Sequence, residues 1–150
     1  MWLTGNLFSP QRRKGAKGAK KVQTKVFLDE LSHKVIGASI EVHRLLGPGL
    51  LETIYIECLA SELAEQGVAV KREVSVPIRY KGKELSKPLR LDLLVEDCLI
   101  VEAKSVDALI PVHSAQLLTY LKMTELKLGL LLNFNVEVMR QGIKRIVNGF

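Results

Sequence analysis

The sequence predicts an α/β sandwich, a mixed β-sheet flanked by helices in the order ααβββαβ(β). Three observations carry that expectation. Apolar residues recur every three or four positions up to Gly67, and the period changes to two from Val68 onward. Two later segments, beginning at Leu99 and at Leu128, are nearly continuous apolar runs, as in central strands buried on both faces. The composition is 47% hydrophobic but only 5% aromatic, so 150 residues must build one core from Leu, Val and Ile.

The elements follow in order. Leu28, Leu31, Val35, Ala38, Val42 and Leu45 form the stripe of an amphipathic helix. Gly47-Pro48-Gly49 breaks it and turns the chain. Leu51, Ile54, Tyr55, Cys58, Leu59, Glu62 and Leu63 mark a second helix, closed by Gln66-Gly67 with the glycine in the C′ position. Val68, Val70, Val74, Val76 and Ile78 alternate with polar residues as a half-buried strand. Lys81-Gly82-Lys83 reads as a turn, and Leu89, Leu91, Leu93 and Val95 as a second strand. Glu96-Asp97-Cys98 connects tightly into a third strand, Leu99 to Lys104, which is expected to lie beside the second. Residues 112–123 read as a helix with Val112, Ala115, Leu118 and Leu121 inward. Leu128 to Phe134 gives another central strand, and Ile143 to Val147 an edge strand.

The net charge of +6 is unevenly placed. Residues 1–27 hold seven basic residues and no acidic one, while the other 123 carry 15 basic and 16 acidic. The stretch from Gln11 to Lys21 is low in complexity and interrupted by glycine, so a disordered tail over 1–27 is expected, with a single domain over 28–150. The tail reads either as a solvated leader or as an arm that neutralises phosphates. Its charges are not followed by the apolar core of a secretory signal. No run reaches the roughly 18 apolar residues of a membrane helix. Cys58 and Cys98 are too few for a disulfide framework and lack zinc-ligand spacing; a cytoplasmic setting is expected.

The residues that suggest chemistry stand where apolar strands carry charge. Asp92 interrupts a Leu-rich strand. Glu102 and Lys104, two apart at the end of the most apolar strand, project from one face. If the second and third strands are neighbours, two carboxylates and an ammonium meet at one place, where charge is costly unless paired or bound to metal. Hard carboxylate oxygens suit Mg²⁺ or Mn²⁺. An ion pair of Lys104 with Asp92 or Glu102 is the structural alternative.

The pattern Asp92…Glu102-Ala103-Lys104 resembles the active-site motif of the PD-(D/E)XK nuclease superfamily. Gly49-Leu-Leu-Glu52-Thr-Ile-Tyr55 is similar to the signature of the GxxExxY protein family, which is classed with those nucleases. The segments around Glu41 to Gly49, Asp92 to Glu96, Pro111 to Lys122, Gly129 to Phe134 and Ile143 to Val147 also resemble that family, over about residues 28–150. The resemblance implies a restriction-endonuclease-like core and a divalent metal, Mg²⁺ or Mn²⁺, held by Asp92 and Glu102. It implies Lys104 as the catalytic lysine and Glu52 as a further acid supplied by a helix. Gln116 and Tyr120, four apart on one helix face, resemble the QxxxY element that accompanies some of these sites. Leu91 replaces the motif's proline, and Ala103, in the variable position, should face the opposite side of the strand.

Each accessory residue also has a structural reading. Glu52 would interact with its helix dipole as any first-turn acid does. Gln116 and Tyr120 would cover the sheet. Tyr55 is read as packing, His113 as a first-turn helix residue near the site mouth, and both cysteines as buried thiols. Neither His43 nor His113 has the partners of a zinc site. The functional expectation is a Mg²⁺-dependent nuclease acting on phosphodiester bonds of nucleic acid. The alternatives are a non-catalytic nucleic-acid-binding or assembly module on the same fold, or a small-nucleotide phosphohydrolase. A near-neutral domain stands against strong nucleic-acid binding unless a local basic patch or the tail supplies it.

Overall fold

A computed structural model describes residues 24–150. Helix α1 (Lys25–Leu46) is capped by Thr24, whose hydroxyl accepts the Phe27 amide at 3.2 Å. The helix therefore starts three residues before the domain boundary expected at Leu28; residues 1–23 of the expected tail lie outside the described residues. The α1 stripe is buried from Leu28 to Val42. Leu45, expected inward, is exposed. The inward place in the last turn goes to His43, whose Nε2–H donates to the Val136 carbonyl at 2.7 Å.

Helix α2 (Glu52–Glu65) ends as its sequence predicts. Gly67, at φ 78°, donates to the Ala64 carbonyl and Val68 to the Leu63 carbonyl, both at 3.0 Å. These two bonds form the Schellman arrangement that satisfies otherwise orphaned carbonyls. The buried side of α2 is Tyr55, Ile56, Leu59 and Leu63. Leu51 and Ile54, expected inward, are exposed: Leu51 is the N-cap residue, ahead of the first turn, and Ile56 rather than Ile54 flanks Tyr55 on the inner side.

The five-stranded sheet has the order β1-β4-β5-β6-β7, formed by Val70–Val76, Leu89–Val95, Leu99–Lys104, Leu128–Asn133 and Ile143–Val147. Neighbours are antiparallel except β5 and β6, which run parallel. Such a pair needs a crossover, and helix α3 (Pro111–Thr124) provides it. Helices α1 and α2 cover one face, over Leu93, Val95, Val101, Ala103, Leu130 and Leu132. Helix α3 covers the other, over Leu91, Leu94, Ile100 and Leu131. No helix among the described residues is long and apolar enough to cross a membrane.

Two further differences from the sequence reading are informative. The buried residues of α3 are Leu117, Leu121 and Thr124, whereas Val112 and Ala115 are exposed and Leu118 is half-buried. The helix carries apolar residues at several phases, and Gly129 selects among them. A Cβ at Gly129 would stand 3.0 Å from three carbons of Leu117, so the glycine on β6 gives Leu117 room against the sheet. The Lys81-Gly82 turn also does more than link two strands. It closes a separate hairpin of β2 (Arg79–Tyr80) and β3 (Lys83–Glu84), with Lys81 and Gly82 both at positive φ (51° and 83°). That is the two-residue turn whose twist suits a hairpin.

Candidate active site

Asp92 sits where the sheet opens. Strand β4 pairs with β1 at Leu91–Val74 and Leu93–Arg72, and with β5 from Leu93–Val101 to Val95–Leu99. At Asp92 the ladder to β1 is interrupted, and the ladder to β5 ends one residue short of it. The residue of β1 left unpaired across this gap is Glu73, held at φ 51°, a conformation costly for a residue with a Cβ. On the other side the next residue of β5 past the last paired position, Val101, is Glu102. Leu91 and Leu94, three apart, both pack beneath α3, which strict strand alternation forbids, so the strand changes phase at Asp92.

Carboxylate oxygens replace the missing ladder bonds. The Asp92 amide donates to Glu102 Oε2 at 3.1 Å, and the Ala103 amide donates to Asp92 Oδ2 at 2.9 Å. Each carboxyl is thus fixed by the backbone of the other's strand. Burial raises the Glu102 carboxyl to about 8, with the Asp92 charge as the next cause. Glu102 is 6% exposed. Burial also raises Asp92, assisted by the Glu52 charge, while the Ala103 amide and Lys104 act the other way. Two adjoining carboxyls with little water cannot both ionise freely, and a divalent cation would reverse that preference.

The other expected residues take different positions. Lys104 is half-buried and its charge favours ionisation of both carboxyls. It makes no salt bridge among the described residues, so the ion pair considered as the structural alternative does not form. Ala103 faces the α1–α2 side, as expected. Glu52 is exposed on the first turn of α2, within electrostatic range of Asp92. It borders a cleft of about 560 Å³ with Gly49, Leu50, Thr53, Ser105 and Asn135. Tyr120 is half-buried on α3. Burial first, then the charges of Glu102 and Asp92, push its phenol upward, so the hydroxyl remains a donor. Gln116 is exposed one turn earlier, without a hydrogen bond among the described residues; the structure does not bring it into the carboxyl cluster.

Tyr55 explains how Glu52 is held. Its side chain is fully buried and stacks on Phe134, with ring centroids 4.4 Å apart. Its hydroxyl donates to the Gly47 carbonyl at 2.6 Å and accepts the Leu50 amide at 3.1 Å. Gly49, at φ 98°, makes the turn this latch closes. Glu52 therefore leaves a helix start pinned from inside by Tyr55, which acts through packing. His113 accepts the Ile110 amide on Nδ1 at 3.1 Å, a capping role. Both cysteines are free, and burial raises the Cys98 thiol to about 12.

Two positioning residues escaped the sequence reading. Asn133 is 2% exposed. Its Oδ1 accepts the amides of Val106 (3.1 Å) and Asn135 (3.2 Å), and its Nδ2 donates to the Val106 carbonyl at 3.0 Å. Ser105 Oγ donates to the Leu50 carbonyl at 2.7 Å, tying the end of β5 to the turn before α2. The signal for Asn133 was available: it is a polar residue ending an apolar strand, the same criterion that selected Glu102.

Among the described residues no group of three or more His, Cys, Asp or Glu is arranged to hold a metal alone. Two hard carboxylates nevertheless fit Mg²⁺, which binds through one or two carboxylates and completes its shell with water and substrate phosphate. The family model of the PD-(D/E)XK nucleases matches residues 29–146. No curated protein and no solved structure matches the chain. The matched region runs from the first turns of α1 almost to the end of β7 and contains the opened strands with their acid, acid-x-lysine arrangement; this chain belongs to the PD-(D/E)XK nuclease superfamily.

Proposed function

We propose that the chain is a Mg²⁺- or Mn²⁺-dependent nuclease of the GxxExxY type, hydrolysing phosphodiester bonds of nucleic acid. The observation that supports this reading is the reciprocal bonding of Asp92 and Glu102 to each other's strands, which orients a half-buried and a buried carboxyl together. Asp92 and Glu102 would hold the cation, which when bound supplies Lewis-acid stabilisation to the scissile phosphate. Lys104 presents an ammonium from the same face as Glu102, where it offsets negative charge developing on the phosphate. Tyr120, kept protonated, is a hydrogen-bond donor within electrostatic range of the carboxyls. Glu52 adds a further acid from α2, within electrostatic range of Asp92, and Gln116, exposed one turn before Tyr120 on α3, is free to meet substrate.

The test is cleavage of single- and double-stranded DNA and RNA with Mg²⁺ or Mn²⁺, alongside calorimetric metal titration. Wild type should cut at least one of these substrates. Lys104→Ala should lose roughly 10²–10³ in rate, the scale for removing one electrostatic stabiliser, and should still bind Mn²⁺. Cleavage that survives in Lys104→Ala removes the role given to that residue. Failure of wild type on all four substrates would favour the non-catalytic module.

A further inference from the structure

The near-neutral charge of the folded region conceals a strong polarity. Residues 71–90 carry seven basic and two acidic side chains, while the rest of 28–150 carries eight basic and fourteen acidic. The basic segment is β1, the β2–β3 hairpin and the start of β4. The hairpin does not serve the core: Arg79, Tyr80, Lys83 and Glu84 are all exposed, as is Leu85. It is nonetheless well formed. Pro77 and Pro88 bracket it, the Leu85 amide donates to the Ile78 carbonyl at 2.8 Å, and Arg79 donates to the Gly82 carbonyl at 3.1 Å. Lys81 Nζ lies 5.4 Å over the Tyr80 ring, and its backbone is left-handed to make the turn. Lys81, Lys83 and Lys87 have no acidic partner among the described residues.

Topology sets this arm beside the carboxyls. Strand β4 is antiparallel to both β1 and β5, so the C-terminal end of β1, the start of β4 and the Lys104 end of β5 share one end of the sheet. Asp92 is three residues from the start of β4, about 10 Å at the rise of a strand. The hairpin extends the chain four to five residues beyond Val76, roughly a further 15 Å. Together they reach at most on the order of seven nucleotide steps of 3.4 Å along a strand.

We infer that the β2–β3 hairpin, through Arg79, Lys81 and Lys83 with Lys87 at its base, is an arm that binds the phosphate backbone of nucleic acid flanking the site at Asp92 and Glu102. This rests on the proposed action on nucleic acid, and it supplies the local basic patch that a near-neutral domain otherwise lacks. The contacts are to phosphates, so the arm adds affinity and register without reading sequence.

The test compares full-length wild type with the triple variant Arg79→Gln/Lys81→Asn/Lys83→Gln. Asparagine is chosen at 81 because it tolerates positive φ. A charge-matched control carries Lys122→Gln/Lys127→Gln/Lys144→Gln. Binding of fluorescein-labelled 30-mer duplex and single-stranded DNA is read by anisotropy in EDTA between 50 and 200 mM NaCl. The arm variant should bind at least tenfold more weakly than wild type at 100 mM salt. Its log K against log salt slope for duplex should fall by up to about 2.7, three phosphates at about 0.9 each. The control should change both by much less. Equal binding by wild type and arm variant, an equal loss in the control, or no binding by wild type overturns the arm. Hydrolysis of bis-p-nitrophenyl phosphate with Mn²⁺ separates this from the catalytic reading, because so small a diester does not reach the hairpin. An arm variant that keeps this hydrolysis but loses DNA affinity supports the inference. Loss of affinity confined to the arm variant, with no hydrolysis by any protein, keeps the arm and removes the nuclease.

Discussion

Replacing Glu102 by glutamine should flatten a pH dependence that the metal-free wild type possesses. Burial and the neighbouring Asp92 raise the folded Glu102 carboxyl to about 8 from its ordinary 4.5. Between those values the folded protein holds a proton that the unfolded chain has released. Stability from this group is therefore fully present below pH 4.5 and is lost as pH rises through 8, at about 1.4 kcal/mol per pH unit. The whole window amounts to at most about 4–5 kcal/mol. Asp92, also raised, adds in the same direction, and the two titrate as a pair. Glutamine retains an oxygen for the Asp92 amide but carries no titrating proton. Urea unfolding in EDTA at pH 5, 6, 7 and 8 measures the effect as the difference between the two proteins. Wild type should lose several kcal/mol relative to Glu102→Gln between pH 5 and pH 8. Adding Mn²⁺ at pH 8 to a hundredfold excess over its dissociation constant should restore about 2.7 kcal/mol to wild type and much less to the variant. Parallel stability profiles in EDTA would refute the account of the buried pair.

Three other outcomes follow from contacts elsewhere. Tyr55→Phe keeps the stack on Phe134 but removes both hydroxyl bonds to the turn before α2; it should cost about 1–3 kcal/mol in urea unfolding and lower cleavage through misplacement of Glu52. Gly142→Ala should be strongly destabilising, because its Cβ would stand 2.0 Å from the Asn133 carbonyl oxygen; a melting temperature within a degree of wild type would contradict that packing. Cys98 should resist iodoacetamide at pH 8 in the folded protein and react promptly once unfolded, since burial holds its thiol near 12.

Much of the fold was legible because its signals were redundant. The alternation from Leu89 to Val95, the tight turn at Glu96 and Asp97, and the apolar run from Leu99 each point to an antiparallel pair, and that pair juxtaposes Asp92 with Glu102. The phase of α3 was not legible, because Leu117 packs against Gly129 in another strand, a close fit that spacing within the helix does not reveal. Leu45 and Leu51 look like core residues from spacing alone, but both lie at helix ends where the stripe runs out. At the site, residue types disclosed the carboxyls and the lysine. Their mode of support was hidden, since an amide donating to a side-chain oxygen leaves no trace in a hydrophobic pattern. Gln116 illustrates the converse: helical spacing aligned it with Tyr120, but Tyr120 is half-buried while Gln116 is exposed.

The opening of β4 beside Asp92 bears on how loss-of-activity variants are designed. In an ordinary strand, truncating an outward side chain leaves the ladder untouched. Here the carboxylates are themselves rungs: alanine at position 92 would strip the Ala103 amide of its acceptor, and alanine at 102 would do the same to the Asp92 amide. Either truncation widens a gap in the sheet as well as deleting a charge, so a dead alanine variant would not distinguish lost chemistry from a frayed scaffold. Isosteric amides at these two positions preserve the rungs, which makes Asp92→Asn and Glu102→Gln the substitutions from which a catalytic role can be read.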